Sequence, residues 1–333
     1  MSNTPLKAVG LISGGLDSFL ATRIVRDLGI QINGIFFCLP WGCTKLHYAR
    51  AVAAAADVPL KIEQLGEDFM EMIRHPRFGR GAGINPCVDC HAFMIKKAAQ
   101  FMRELNADFV FTGEVLGQRP MSQLKKSLFL IEQNSGLEGR LLRPLSAQLL
   151  PPTRMEEQGL IDRKKLLGIC GRSRKQQLEL ARQWNAKGFS PPAGGCLLTD
   201  RNFSRRVLDL FQHGYRNHND LKILQWGRHF RLDAQHKAIL GRDEIENQRL
   251  IDHVTQGDHI LDFTDRNGPT LILQGLQPSP ALLSQAAGLI QWFSRYRDQN
   301  PKDVIAIQTG VQSHTQSIIP TTLVHETVEG WRI

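Results

Sequence analysis

Hydrophobic and polar positions alternate in blocks along the first 200 residues. LKAVGLI (6–12) is a short apolar run of buried-strand type, followed by a glycine-rich turn. Residues 17–28 read as a helix closed by Gly29. IQINGIFFCL (30–39) is a second strand, 44–57 a helix capped by Thr44 and stopped before Pro59, and LKIEQL (60–65) a third strand. A loop over 74–86 carries Pro76, Gly79, Gly81, Gly83 and Pro86. A helix follows over 88–105, ADFVFTG (107–113) is a fourth strand, and LLRPL (141–145) a fifth. Helices are expected at 162–169, 173–185 and 203–211.

The βαβα order predicts a parallel sheet with helices on both faces. From Leu221 the pattern changes. ILQWGRHFRL, KAILG, HILDF, TLILQ and VIAIQ are strand candidates, interrupted by helices near 242–255 and 279–298. The reading is an α/β chain: a Rossmann-like parallel-sheet domain over 1–215, then a smaller α+β domain over 221–333.

Composition narrows the partners. The 333 residues are 42% hydrophobic and 22% charged, as in an ordinary globular chain. No apolar run approaches the roughly 18 residues of a membrane span, and the N-terminus lacks a secretory pattern. A cytoplasmic protein without a membrane partner is expected. The net charge of +9 is unevenly placed. Residues 1–200 hold 26 Lys/Arg against 18 Asp/Glu, and residues 201–333 hold 15 against 14. The stretch 119–175 alone carries 12 basic and 5 acidic residues, which suits a polyanion such as RNA.

The strongest motif is SGGLDS (Ser13, Gly14, Gly15, Leu16, Asp17, Ser18), between the first strand and its helix. Small residues there let backbone N–H groups converge on an anion at a helix N-terminus. Asp17 can cap the helix or help hold Mg²⁺ near a phosphate. The Walker pattern and GxGxxG are both absent. At this point the sequence resembles the PP-loop ATP pyrophosphatases, which split ATP between the α and β phosphates and adenylate a substrate oxygen. The resemblance implies that Ser13, Gly14, Gly15, Asp17 and Ser18 hold the pyrophosphate. It also implies that Phe36–Phe37, at the end of the second strand, lie along the adenine.

TGEVLGQRPMSQ (112–123) follows the fourth strand. With LLRPL it resembles the tRNA 4-thiouridine synthetases of the PP-loop group, departing from their pattern at Arg119-Pro120-Met121. Gly113, Gln118 and Gln123 are candidate nucleotide or substrate contacts.

NPCVDCH (85–91) places Cys87 and Cys90 where a loop enters a helix, whose N-terminus would lower both thiols. GGC (194–196) returns Cys196. The pattern resembles the iron–sulfur branch of tRNA thiolation enzymes, in which three thiolates hold a [4Fe–4S] cluster. A persulfide relay and a structural zinc with His91 as fourth ligand are the other readings. Cys38, Cys43 and Cys170 read as ordinary buried or semi-buried cysteines. Lys96 or Arg143 can neutralise developing charge.

Residues 221–333, with WGRHFRLD (226–233) and ILGRDEIENQRL (239–250), look like the NFACT-R domain, a presumed RNA-binding module, with Arg228, His229, Arg231, Arg242 and Asn247 as candidate contacts. The resemblance implies ATP-dependent thiolation of tRNA uridine, leaning to 4-thiouridine, with ATP, Mg²⁺ and a [4Fe–4S] cluster. Sulfur would come from a cysteine desulfurase or inorganic sulfide. Three alternatives stay open: 2-thiouridine formation, a PP-loop ligase or amidotransferase acting on a small molecule, and a non-enzymatic RNA-binding factor.

Overall fold

The computed structural model describes residues 5–191, 195–300, 304–308 and 315–333. The chain divides into two compact units, Met1–Thr199 and Asp200–Ile333.

The first unit carries β1 (Lys7–Leu11), α1 (Leu16–Asp27), β2 (Gln31–Cys38), α2 (Leu46–Ala55), β3 (Leu60–Gln64), α3 (Glu67–Arg74) and α4 (Cys87–Glu104). It continues with β4 (Phe109–Phe111), α5 (Lys125–Ser135), β5 (Leu141–Leu142), α6 (Arg154–Glu157) and α7 (Lys175–Gln183). Its five strands are parallel, in the order β3-β2-β1-β4-β5. The central strands β1 and β4 are buried on both faces, so their apolar residues run nearly continuously, whereas the edge strand β3 alternates and leaves Ile62 exposed. Ala8, Ile12 and Phe109 join α1 and α2 on one face. Val9, Ile35 and Val110 join α4 on the other.

Two helices stand where the sequence reading assigned no element, and one expected helix is absent. Residues 67–74 form α3, whose Phe69, Met70 and Ile73 are buried. Lys125–Ser135 is also helical. Residues 162–169 are not an α-helix; Arg163–Lys165 forms a single 3₁₀ turn. There Leu166 and Ile169 enter the core from extended chain, and Leu167 N–H and Ile169 N–H bond Pro144 O and Leu145 O at 2.9 and 2.7 Å.

The second unit holds α8 (Arg201–His213), α9 (His218–Lys222), β6 (Arg228–Arg231), β7 (Lys237–Leu240), α10 (Glu244–Ile251), β8 (His259–Phe263) and β9 (Leu271–Gln274). It ends with α11 (Pro280–Trp292), β10 (Val304–Gln308), β11 (Thr315–Ile318) and α12 (His325–Trp331). Its sheet is antiparallel, in the order β11-β10-β8-β9-β7-β6. The division precedes α8, which the hydropathy pattern had grouped with the first domain. Arg206 and Asp209 of α8 bond Leu224 O, Gly227 O and Arg231 of the second unit. Among the described residues no helix is long and apolar enough to cross a membrane.

Candidate active site

Strands β1 and β4 are neighbours, so the loops leaving their carboxyl ends emerge side by side, at the edge where open α/β sheets bind ligands. One loop is SGGLDS and the other begins TGE. Gly113 makes the approach sterically possible: a Cβ there would sit 2.6 Å from the Asp17 carbonyl carbon and the Ser18 nitrogen. Gly14 has φ +76°, and a Cβ on it would meet the Ala49 nitrogen at 2.6 Å. Ser190 N–H donates to Gly14 O at 2.8 Å, so a later segment backs the turn.

Within the turn, Ser13 Oγ donates to Ser18 Oγ at 3.2 Å and Ser18 Oγ to Gly15 O at 2.9 Å. Gly15, at the helix N-cap, has no side-chain cap, so Asp17 does not take the capping role. Its Oδ2 accepts from Gln118 Nε2 at 2.7 Å, and its Oδ1 is buried without a partner. An orphaned carboxylate oxygen beside converging N–H groups fits a Mg²⁺-bound phosphate. Gln123, on the same loop as Gln118, also has a buried side-chain oxygen without a partner. Phe36 is buried in the core and Phe37 is half-buried against the α4 face.

The cysteines converge through backbone ties. Asp89 lies between Cys87 and Cys90, and its carboxylate accepts from the Arg77 and Phe78 N–H groups at 2.8 and 3.1 Å. This folds the preceding loop over the start of α4. Ile84 N–H donates to Leu198 O at 3.0 Å, which brings Cys196 back to that loop. Gly194 lies outside the described residues.

Only Cys87 is lowered, contrary to the expectation for both helix thiols. Burial pushes it up, but hydrogen bonds with His91 and Ser122 and the charges of His91 and Arg119 outweigh that and hold it at about 7. Burial pushes Cys90 up, reinforced by the charges of Cys196, Cys87 and Asp89. Burial also raises Cys196, against a hydrogen bond from Leu198 and with the charge of Cys87.

His91 is committed elsewhere than to a metal. Its Nδ1 lies 2.8 Å from Glu114 Oε1. Burial lowers it, but its bonds to Cys87 and Glu114 raise it to about 9. Burial raises Glu114, but the Arg143 charge and the His91 bond bring it to about 2. Arg143 Nε reaches Glu114 Oε2 at 3.0 Å, and its Nη1 reaches Glu132 at 2.9 Å. Arg143 is therefore a buried structural cation and is not free to meet substrate charge, whereas Lys96 is exposed.

Among the described residues no group of three or more His, Cys, Asp or Glu stands at metal-holding separation. The donor chemistry nonetheless fits a soft metal centre. Burial first, and then the charge of neighbouring cysteines, raise Cys90 and Cys196, and a bound metal ion would favour their deprotonated form.

These shifts give a direct prediction. In chelator-treated, reduced protein, iodoacetamide labelling of Cys87 should rise with pH through a midpoint near 7, while Cys90 stays unlabelled. His91→Ala should move the Cys87 midpoint toward its ordinary value of 9.0. The thiolate lost at pH 7 is partly offset by higher nucleophilicity, leaving labelling roughly fivefold to tenfold slower. Peptide mass spectrometry reads both; an unmoved midpoint assigns His91 no role.

Cys38 and Cys43, read as ordinary buried or semi-buried cysteines, are joined in a disulfide, with Cα atoms 4.7 Å apart. The turn closed by Gly42 N–H to Leu39 O at 2.9 Å brings them together. Cys170 is free and exposed.

The basic stretch divides. Arg140 and Arg163 bond main-chain carbonyls, whereas Arg119, Lys125, Lys126, Lys164, Lys165 and Arg172 are exposed. In the second unit, His229 and Asn247 are buried and Arg231 pairs with Asp209 at 2.7 Å, so these three are structural. Arg228 and Arg332 both lie over the Phe293 ring, 4.9 and 5.8 Å from its centroid. Burial and the charges of Arg242 and Arg332 push the Arg228 pKa down. Arg242 is paired with the Glu246 carboxylate but stays half-exposed, and with Arg228 and Arg332 it forms a cluster of arginines that the near-neutral total conceals.

The fold and site define a parallel α/β domain with a glycine-rich turn at its carboxyl edge, beside which the Asp17 Oδ1 is buried without a partner. Residues 3–148 match the family model of the thiamine biosynthesis protein (ThiI), and residues 227–332 match the NFACT protein RNA binding domain. Residues 3–148 are thus similar to the ThiI family and residues 227–332 to the NFACT RNA binding domain, each over less than half of the chain. It is 28% identical to the tRNA-specific 2-thiouridylase MnmA of Marinobacter nauticus over 192 residues, 48% of this chain and 48% of that protein. It is 24% identical to the probable tRNA sulfurtransferase of Thermococcus kodakarensis over 173 residues, 49% of this chain and 41% of that protein. The chain therefore matches about half the length of these relatives, or less. A solved 4-thiouridine synthetase–RNA complex with bound ATP is 17% identical, covering 66% of this chain and 52% of that one, at a TM-score of 0.41.

Proposed function

We propose that this chain is an ATP-dependent tRNA sulfurtransferase that forms thiouridine, 4-thiouridine in the first instance. The carrying observation is that one segment, Thr112–Gln123, bonds on one side to Asp17 of the phosphate turn through Gln118. On the other side it bonds through Glu114 to His91, beside the cysteines. Nucleotide chemistry and sulfur chemistry thus share one edge.

In this reading the triphosphate lies on the N–H groups of Ser13–Ser18, and Asp17 Oδ1 would hold Mg²⁺, which supplies charge against the phosphates. A uridine carbonyl oxygen attacks the α-phosphate and pyrophosphate leaves. Sulfur then attacks the activated carbon and AMP departs with the oxygen. Cys87, Cys90 and Cys196 would hold an iron–sulfur cluster, which supplies an iron open to sulfide. Cys87, the lowered thiol, is also suited to take sulfane sulfur as a persulfide from a cysteine desulfurase. Its outer sulfur would displace AMP, and Cys196 would then cleave the mixed disulfide, leaving a Cys87–Cys196 disulfide for an external thiol to reduce, with no metal needed.

The 2-thiouridine product is the second reading, favoured by the names of the MnmA relatives. The exposed basic residues of 119–175 and the Arg228–Arg242 cluster are assigned to the tRNA backbone.

The test incubates the chain with unmodified tRNA, ATP, Mg²⁺ and either sulfide or L-cysteine with a cysteine desulfurase and a thiol reductant, followed by nucleoside mass spectrometry. ATP-dependent 4-thiouridine is expected. 2-Thiouridine would move the assignment to the second reading, and no thionucleoside would reject both. In the same assay, joint Arg228→Gln and Arg242→Gln substitution should raise KM for tRNA and leave kcat unchanged.

A further inference from the structure

Gln177 lies on α7, in a part of the chain that the sequence reading assigned to RNA contact or to no role. It is fully buried at 0% exposure. Its Nε2 donates to Gln118 Oε1 at 2.8 Å, and Gln118 Nε2 donates to Asp17 Oδ2 at 2.7 Å. An ionised carboxylate only accepts, so Asp17 obliges Gln118 to present its NH₂ group. The Gln118 carbonyl must then face away from Asp17, where it needs a donor, and Gln177 supplies it. The chain of amides has one self-consistent direction, Gln177 to Gln118 to Asp17. It occupies Oδ2 and leaves Oδ1, buried and unpartnered, as the free oxygen.

We propose that Gln177 is a positioning residue for the phosphate turn. By fixing the Gln118 amide it holds the Asp17 carboxylate with Oδ1 turned to the metal-bound nucleotide. This rests on the reading that SGGLDS binds Mg·ATP. The tether also explains why a residue far along the chain belongs to the site: α7 packs on α1, whose first turn carries Asp17.

The test measures equilibrium binding of α,β-methylene-ATP to the full chain by calorimetry, with Mg²⁺ and with EDTA. Gln177→Leu should weaken binding in Mg²⁺ roughly fivefold to tenfold, the worth of one hydrogen bond to a charged network, and change it less than twofold in EDTA. Gln177→Glu, nearly isosteric, offers Gln118 an acceptor, turns the amide over and sets its carbonyl against Asp17. It should show the same Mg²⁺-dependent loss, and it serves if the leucine variant does not fold. The double variant Gln118→Leu with Gln177→Leu should bind no worse than Gln118→Leu alone, because the effect of Gln177 passes through Gln118. Unchanged Mg²⁺-dependent binding in both Gln177 variants overturns the inference, as does full additivity in the double variant. A wild-type chain that fails to bind Mg·ATP overturns the nucleotide reading itself, and this inference with it.

Discussion

Cys196→Ala is expected to lower thiouridine formation by at least roughly a thousandfold, the scale of losing a covalent or ligating sulfur. Pyrophosphate release should persist. The reason is spatial. The phosphate turn is built from Ser13–Ser18, Gly113 and Ser190, and none of these bonds Cys196. Cys196 is placed instead by the Ile84–Leu198 tie, on the side of Cys87 and Cys90. Activation of the uridine oxygen should therefore outlive loss of the sulfur step. The measurement pairs single-turnover nucleoside analysis with release of radiolabelled pyrophosphate from ATP in the presence of tRNA. Thiolation within tenfold of wild type would remove Cys196 from the mechanism. Loss of pyrophosphate release in step with thiolation would show that the two halves of the edge are not separable.

Glu114→Ala should destabilise the protein by about 3–5 kcal/mol, the cost of leaving a buried ion pair with one partner. Arg143 is 4% exposed and is held by Glu114 and Glu132. Without Glu114 it keeps one carboxylate, and His91 loses its acceptor. Urea unfolding followed by circular dichroism measures the loss. A value under about 1 kcal/mol would show that Glu132 alone satisfies the guanidinium.

The pH dependence has a defined sign. Glu114 stands at about 2 against an ordinary 4.5, so its contribution is complete above about pH 4.5 and is lost as pH falls toward 2. His91 stands at about 9 against 6.5, so its contribution is complete below about pH 6.5 and is lost as pH rises through 9. Wild-type stability should fall at both ends, and Glu114→Gln should flatten the acid limb.

Much of the site was legible in the sequence because its elements are local. SGGLDS sits between a short apolar run and a helix, and that placement needs only the order of residues. The CxxC at the start of α4 is equally local. Other features depend on residues distant in the chain. His91 stood next to Cys90 and read as a strained metal ligand. Its partner Glu114 lies 23 residues on, and only the packing of α4 against β4 sets the two side chains 2.8 Å apart. Arg143 looked like a free cation until the fold enclosed it between two carboxylates. Gln177 carried no signal, since a glutamine on a polar helix reads as solvent-facing. A hydrogen bond with no solvent-exposed alternative is what marks it.

The sequence by itself determined the parallel α/β architecture, the placement of SGGLDS between β1 and α1, and the CxxC at the start of α4. Hydrophobic runs, glycine turns and cysteine spacing act within a few residues, so order alone expresses them. The tertiary structure alone decided which thiol is lowered, which basic residues are structural, where the second unit begins and how Asp17 is held. Each of these depends on burial or on a charge brought from a distant segment. Such energies come into being only when the chain has excluded water and fixed both partners.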